Sequence, residues 1–148
     1  MKLPKIKPPI INLLIIVLTL ILHFSIPIKK MIDFPYNLIG IVVLLFGLYI
    51  ALLGRHTFDR LGTPVLFGKP TKLSTGGPYK HTRNPMYLGV TISLLGMSIL
   101  LGSLISFIAP ILFFLIINIF FIPFEERWLT ELFGKDYLQY KKKVRRWI

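Results

Sequence analysis

The apolar positions of this chain gather into three long charge-free intervals: Pro8 to Ile28, Phe34 to Gly54, and Asn84 to Phe124. A bilayer hydrocarbon core of roughly 30 Å takes about 20 helical residues at about 1.5 Å rise each. The first two intervals therefore supply one crossing apiece, and the third is long enough for two, with Gly102-Ser103 as the hairpin tip. The expected segments are 10–28, 36–54, 86–101 and 104–124. The segment 86–101 is short for a full span and is expected to start deeper or to sit in thinned bilayer.

Between and after these segments lie a connection, 55–85, and a tail, 125–148. Gly62-Thr63-Pro64, Gly68-Lys69-Pro70 and Gly76-Gly77-Pro78 punctuate the connection at short intervals, which predicts an irregular loop on the membrane surface. In the tail, the fourth helix is expected to continue and to break at Gly134. From Asp136, a short helix would place Tyr137, Tyr140, Val144 and Trp147 near one face and Lys141, Lys142, Arg145 and Arg146 largely opposite. That pattern suits a helix lying at the headgroup level.

Composition agrees: 54% of the 148 residues are hydrophobic and 14% aromatic, too apolar for an ordinary soluble domain. The fold expected is all-α and integral to the membrane, a single domain over 1–148 with about four transmembrane helices, a cytoplasmic loop and C-terminal interfacial helices. With four crossings, sixteen of the eighteen basic residues fall on one side and Lys29 and Lys30 on the other. By the positive-inside rule both termini are cytoplasmic. The net charge of +12 then reflects topology and attraction to anionic headgroups, and no nucleic-acid partner is expected. The basic-then-apolar N-terminus has too long an apolar run for a signal peptide and no small-residue cleavage site, so a retained helix is expected.

Absence of cysteine removes disulfides, thiolate zinc sites and cysteine nucleophiles, and His23, His56 and His81 lack metal-ligand spacing, so no metal is expected. His23 and Asn118 are the hydrogen-bonding features that stand out inside the spans. No intramembrane carboxylate is available for an ion relay, which counts against a transporter.

The stretch "STGGPYKHTRNPMYLGV" concentrates the chemistry. Pro85 disfavours helical geometry at Asn84 and suits a first helical turn, so Asn84 is available as a cap. Gly76, Gly77 and Gly89 permit close backbone approach, and Tyr79 and Tyr87 offer aromatic faces to a cation or a flat ring. If 84–124 is a hairpin, Arg83 at its entrance and Glu125-Glu126 at its exit converge on one membrane face. One reading is a salt-bridge staple, worth about 0 to 1 kcal/mol at a surface. The other is a ligand site, in which these charges matter more for the ligand than for folding.

These residues resemble the small integral-membrane methyltransferases that include isoprenylcysteine carboxyl methyltransferase and the phospholipid N-methyltransferases. The family's first signature is similar to GPYxxxRHPxYxG, and Gly77-Pro78-Tyr79, Arg83-Asn84-Pro85, Tyr87 and Gly89 stand in that spacing. The second is a glutamate pair followed by a leucine and then FGxxYxxYxxxVxRW, matched by Glu125-Glu126, Leu129, Phe133-Gly134, Tyr137, Tyr140, Val144 and Arg146-Trp147. Asn84 departs from the family's common histidine, so no imidazole acid or base is available there.

The resemblance implies S-adenosylmethionine as methyl donor in a cytoplasm-facing pocket, and a lipophilic small-molecule or lipidated acceptor reached from the bilayer. No GxGxxG follows a strand, so such a site must be built from membrane helices and their connections. On this reading Arg83 holds a carboxylate of the donor or of an acidic acceptor, Glu125 or Glu126 holds the donor's ammonium or ribose hydroxyls, and Tyr79 or Tyr87 lines the adenine or sulfonium. Arg83 and Glu125 are the catalytic candidates; Gly77, Pro78, Tyr79, Arg83, Asn84, Pro85, Tyr87, Gly89, Glu125 and Glu126 are the donor-binding candidates. The alternative is a non-catalytic membrane protein binding a nucleotide-like or anionic lipid ligand.

Overall fold

Four helices run back and forth, and their lipid-facing and protein-facing sides are sorted by side-chain size. They belong to a computed structural model that describes residues 7–26, 30–62 and 70–148. Lys2, Lys5, Lys29, Lys69, Thr63-Pro64 and Gly68 lie outside the described residues. Among the described residues every regular element is helical, and the protein is an all-α integral membrane protein.

Helix α1 spans Pro8–Ser25, its two prolines occupying the first turn, where a missing N–H costs nothing. Helix α2 spans Ile39–Arg60 after a tight turn, Tyr36–Leu38, and so continues past the expected end at residue 54. Helix α3 spans Pro85–Leu101, and a continuous helix α4 spans Leu104–Phe133. At about 1.5 Å per residue, the 30 residues of α4 reach about 45 Å, well beyond the hydrocarbon thickness. Its last turns, which carry Glu125, Glu126, Arg127 and Glu131, exceed the length a crossing needs, and the helix runs on through residue 125 to end at Gly134. Short α3 extends for only about 25 Å.

Lipid tails are as apolar as leucine, so helices in a bilayer associate by close packing rather than by hydrophobic burial. Helix α2 answers this with buried Gly40, Gly47 and Gly54, one every seventh residue, which lie on α3. A Cβ at Gly40 would come within 2.5 Å of the Gly96 carbonyl oxygen, and one at Gly54 within 2.8 Å of the Met86 side chain. Leu45, Phe46, Tyr49 and Leu52 are exposed on α2, as lipid contact requires. Helix α1 packs instead with α3 and α4 around Ile15, Leu94, Phe113 and Ile117.

The far end of the bundle is tied by the backbone. Gly102 takes a left-handed conformation (φ +71°) that ends α3, and its carbonyl accepts the Met31 N–H at 2.7 Å. Ser98 and Ser106, fully buried, each donate to the other's carbonyl, at 2.6 and 3.0 Å, and so staple the α3–α4 hairpin. His23 Nδ1 meets Ser103 Oγ at 2.7 Å in the same corner.

At the opposite end α4 contains one wide turn, Ile117–Phe121, in which the Ile122 N–H bonds the carbonyl five residues back. Pro123 follows directly and has no N–H to offer, so the wide turn absorbs the broken hydrogen-bond ladder. The chain reverses at Gly134 (φ +54°) into helix α5, Lys135–Lys143. Contrary to the expectation of one amphipathic face through residue 147, α5 stops at Lys143 and Val144 is extended. Tyr137 and Tyr140 are 2% and 8% exposed, so α5 is docked on the protein through its aromatic face.

Candidate functional site

The loop before α3 is shaped to meet the returning tail. Gly77 (φ +54°) opens a tight turn, Gly77–Lys80, that drives the Tyr79 ring edge-on against Phe58 of α2, with centroids 5.3 Å apart. The Tyr79 carbonyl accepts the Tyr140 hydroxyl of α5 at 2.7 Å. Burial pushes both phenols well above their ordinary range, so they remain protonated donors.

Residues 82–84 run beside the extended end of the chain. The Arg83 N–H donates to the Arg145 carbonyl at 3.0 Å, while Thr82 Oγ1 and Asn84 Nδ2 both donate to the Arg146 carbonyl, at 3.1 and 2.9 Å. Asn84 therefore does not cap α3 through its side chain, as expected from the sequence; its amide serves the tail instead. Trp147 Nε1 and the Arg146 guanidinium reach Asn118 Oδ1 at 3.0 and 3.4 Å, which anchors the tail in the wide turn of α4.

The Arg83 guanidinium is buried and fully engaged at its fork. Its Nη2 donates to Glu126 Oε1 at 2.7 Å, and its Nη1 to the carbonyls of Val144 and Lys141 at 2.6 and 3.1 Å. A cation thus sits at the C-terminus of α5, where free carbonyls and the helix dipole favour one. Glu126 also receives Lys141 Nζ at 2.8 Å and Arg146 Nη2 at 3.1 Å. Burial alone pushes its carboxyl up, but hydrogen bonds from Arg146, Lys141 and Arg83 outweigh burial and hold it at about 2. A depressed carboxyl stabilises the docked tail fully above the ordinary 4.5, and that contribution is lost as the pH falls through about 2. Acid titration is accordingly expected to release residues 135–148 between those two values, read by Trp147 fluorescence and protease sensitivity; release confined to pH above 5 would contradict it.

Glu125, next in the chain, is treated differently. It accepts the Tyr87 hydroxyl at 2.6 Å and has no ion pair among the described residues. Adjacent glutamates thus differ in kind: three protein cations neutralise one, and the other faces a cavity of about 290 Å³. Apolar and aromatic walls come from Phe58, Tyr79, Met86, Val90, Phe113 and Trp128. Three lining residues carry a buried polar atom without a protein partner: Asn12 Oδ1, Ser74 Oγ and Arg83 Nε. Lys72 also lines the cavity.

Of the residues singled out in the sequence, Tyr79, Arg83, Asn84, Tyr87, Glu125 and Glu126 line this cavity. Gly77 and Pro78 shape the turn beneath it. Pro85 and Gly89 pack on α2 instead, against Gly54 and Ala51. The sequence reading missed Asn12, Phe58, Ser74 and Trp128. For Asn12 the signal was present, since an amide one turn into an apolar helix is costly to keep there.

The model of the phospholipid methyltransferase family matches residues 36–136. Among relatives, the chain is 43% identical over 75 residues to the protein-S-isoprenylcysteine O-methyltransferase of Schizosaccharomyces pombe, covering 49% of this chain and 30% of that protein. It is 34% identical over 112 residues to a probable protein-S-isoprenylcysteine O-methyltransferase of Oryza sativa subsp. indica, covering 72% and 57%. It is also 31% identical over 100 residues to methanethiol S-methyltransferase 1 of Bradyrhizobium diazoefficiens, covering 68% and 31%. The chain spans less than two thirds of the length of each of these three relatives. No solved structure matches it.

Proposed function

The chain belongs to the phospholipid methyltransferase family, and from that premise we propose that it transfers a methyl group from S-adenosylmethionine to a lipophilic acceptor, most like the isoprenylcysteine carboxyl methyltransferases. The observation that carries this reading is the asymmetry of the glutamate pair. Burial raises the Glu125 carboxyl from 4.5 to about 7, and no ion pair among the described residues offsets it, so a cationic ligand in this otherwise mostly apolar cavity would favour the ionised carboxylate.

The residues present fit the donor. Glu125 is placed for an ammonium or sulfonium, Tyr79 and Phe58 for a flat ring, and the partnerless Asn12 and Ser74 for neutral polar groups. Arg83, proposed from the sequence as a carboxylate clamp, keeps only Nε free of protein partners, so its main role is to fix Glu126 and the tail that closes the cavity. Among the described lining residues, Lys72 is the cation left to meet a carboxylate.

S-adenosylmethionine supplies a methyl carbon already activated by its sulfonium. The protein's contribution is then alignment and exclusion of water by the walls around Met86, Val90 and Phe113, past which a greasy acceptor enters from the lipid. A carboxylate or thiolate acceptor needs no base under these conditions. The cavity lies at the end of the bundle that carries Lys7, Lys72, Lys80, Arg127 and the lysines of α5, with Lys30 at the other, which supports a cytoplasmic site and cytoplasmic termini.

Calorimetry on protein in lipid mimetics is expected to show binding of S-adenosylmethionine and S-adenosylhomocysteine, and a methyl-labelled donor should mark one species in a total lipid extract. Binding of neither compound in several mimetics would remove the methyltransferase reading and leave a non-catalytic binding protein.

A further inference from the structure

The cavity's first-helix wall holds a polar group that nothing in the protein satisfies. Asn12 lies one turn into α1, which begins at Pro8, and its Oδ1 is buried without a partner. Nearby Ile11, Ile15 and Ile16 on α1 pack on the hydrophobic core. Across the cavity, Ser74 precedes the Gly77–Lys80 turn; it is 5% exposed, and its Oγ also lacks a partner. Both residues line the cavity that Glu125 faces. Buried polar atoms are almost always hydrogen-bonded, so two partnerless ones on the wall of one cavity mark where a ligand completes the set. Asn12 lies before residue 36, where the family match begins, and Ser74 lies within it.

We infer that Asn12 and Ser74 form a hydrogen-bonding subsite for an uncharged, hydroxyl-bearing part of the ligand. An amide and a hydroxyl are neutral and can each donate and accept, which suits a hydroxyl and offers no counter-charge to an ion. The cavity keeps its charged partners, Glu125 and Lys72, for the charged parts. Two sources present this chemistry, the ribose of the methyl donor and the polar end of the acceptor. The assignment rests on the methyl-transfer reading above.

Asn12→Leu and Ser74→Ala separate the possibilities, each measured three ways. Thermal melting without ligand is expected to stay level or rise, because each change removes a group the protein leaves unpaired. If the ribose is the source, S-adenosylhomocysteine should bind about fivefold to tenfold more weakly by calorimetry, as for one lost hydrogen bond. If the acceptor is the source, that binding is unchanged and the apparent KM of the labelled lipid species rises instead. The assignment is overturned when both variants bind and transfer like wild type, or when they melt well below it, since the latter reveals a partner inside the protein. A wild type that binds no S-adenosylhomocysteine overturns the methyl-donor reading and this subsite together; a wild type that binds while both variants match it in binding and in the apparent KM of the labelled species overturns the subsite alone.

Discussion

Arg83→Ala is expected to unseat the C-terminal segment and to lower stability by about 3 kcal/mol, the lower end of what breaking a buried ion pair costs. The sequence suggested a surface pair worth little, with the charges serving the ligand more than the fold. In the structure the side chains of Arg83 and Glu126 are 9% and 8% exposed, so the arithmetic of a surface pair no longer applies. Alanine would strand a buried carboxylate with two of its three cations and release the carbonyls of Lys141 and Val144. Arg83→Lys restores a charge for Glu126 but cannot span both the carboxylate and two carbonyls, so an intermediate loss is expected. Melting in detergent and hydrogen exchange over residues 135–148 report the effect. A melting curve like the wild type's, paired with a specific loss of donor binding, would show instead that Arg83 is a ligand residue.

Much of the membrane architecture was legible because a bilayer imposes one simple demand. A crossing must be apolar and about 20 residues long, and the charge-free intervals met it. Helix ends were less legible. Helix α2 continues to Arg60 through Arg55, His56 and Asp59, because a helix leaving the hydrocarbon meets water and tolerates charge there. The end of α4 at Phe133 was more legible, since no residue between Glu125 and Gly134 breaks the helix.

Within the site, charge and spacing pointed to the right faces but not to the partners. That Arg83 meets Glu126 while Tyr87 meets Glu125 depends on helical phase at the end of α4, set by the wide turn at Ile117–Phe121. Nothing in the residues alone announces that turn except Pro123 placed deep in a helix. The docking of α5 was hidden for a related reason. Tyr137 and Tyr140 make the same amphipathic pattern whether they face lipid or protein, and only the N–H groups that Arg83 donates to the Lys141 and Val144 carbonyls and the hydroxyl that Tyr140 donates to the Tyr79 carbonyl decide between them.

Glu125→Gln is expected to give the opposite signature: a level or higher melting temperature and about 100-fold weaker donor binding, within the range for removing one partner of a buried charge pair. Glutamine has nearly the same shape and can keep the Tyr87 hydroxyl bonded to its carbonyl, so the change isolates the charge. Removing a carboxylate that has no protein cation relieves a desolvation cost instead of stranding a partner. Two ligands then tell which cation Glu125 serves. S-adenosylmethionine carries both an ammonium and a sulfonium, whereas S-adenosylhomocysteine carries only the ammonium. Equal losses for the two place the ammonium at Glu125; a loss confined to S-adenosylmethionine places the sulfonium there, beside the methyl group to be moved. If the glutamine variant binds both as the wild type does, the asymmetry of the glutamate pair is a feature of the fold alone and cannot carry the assignment of a cationic donor.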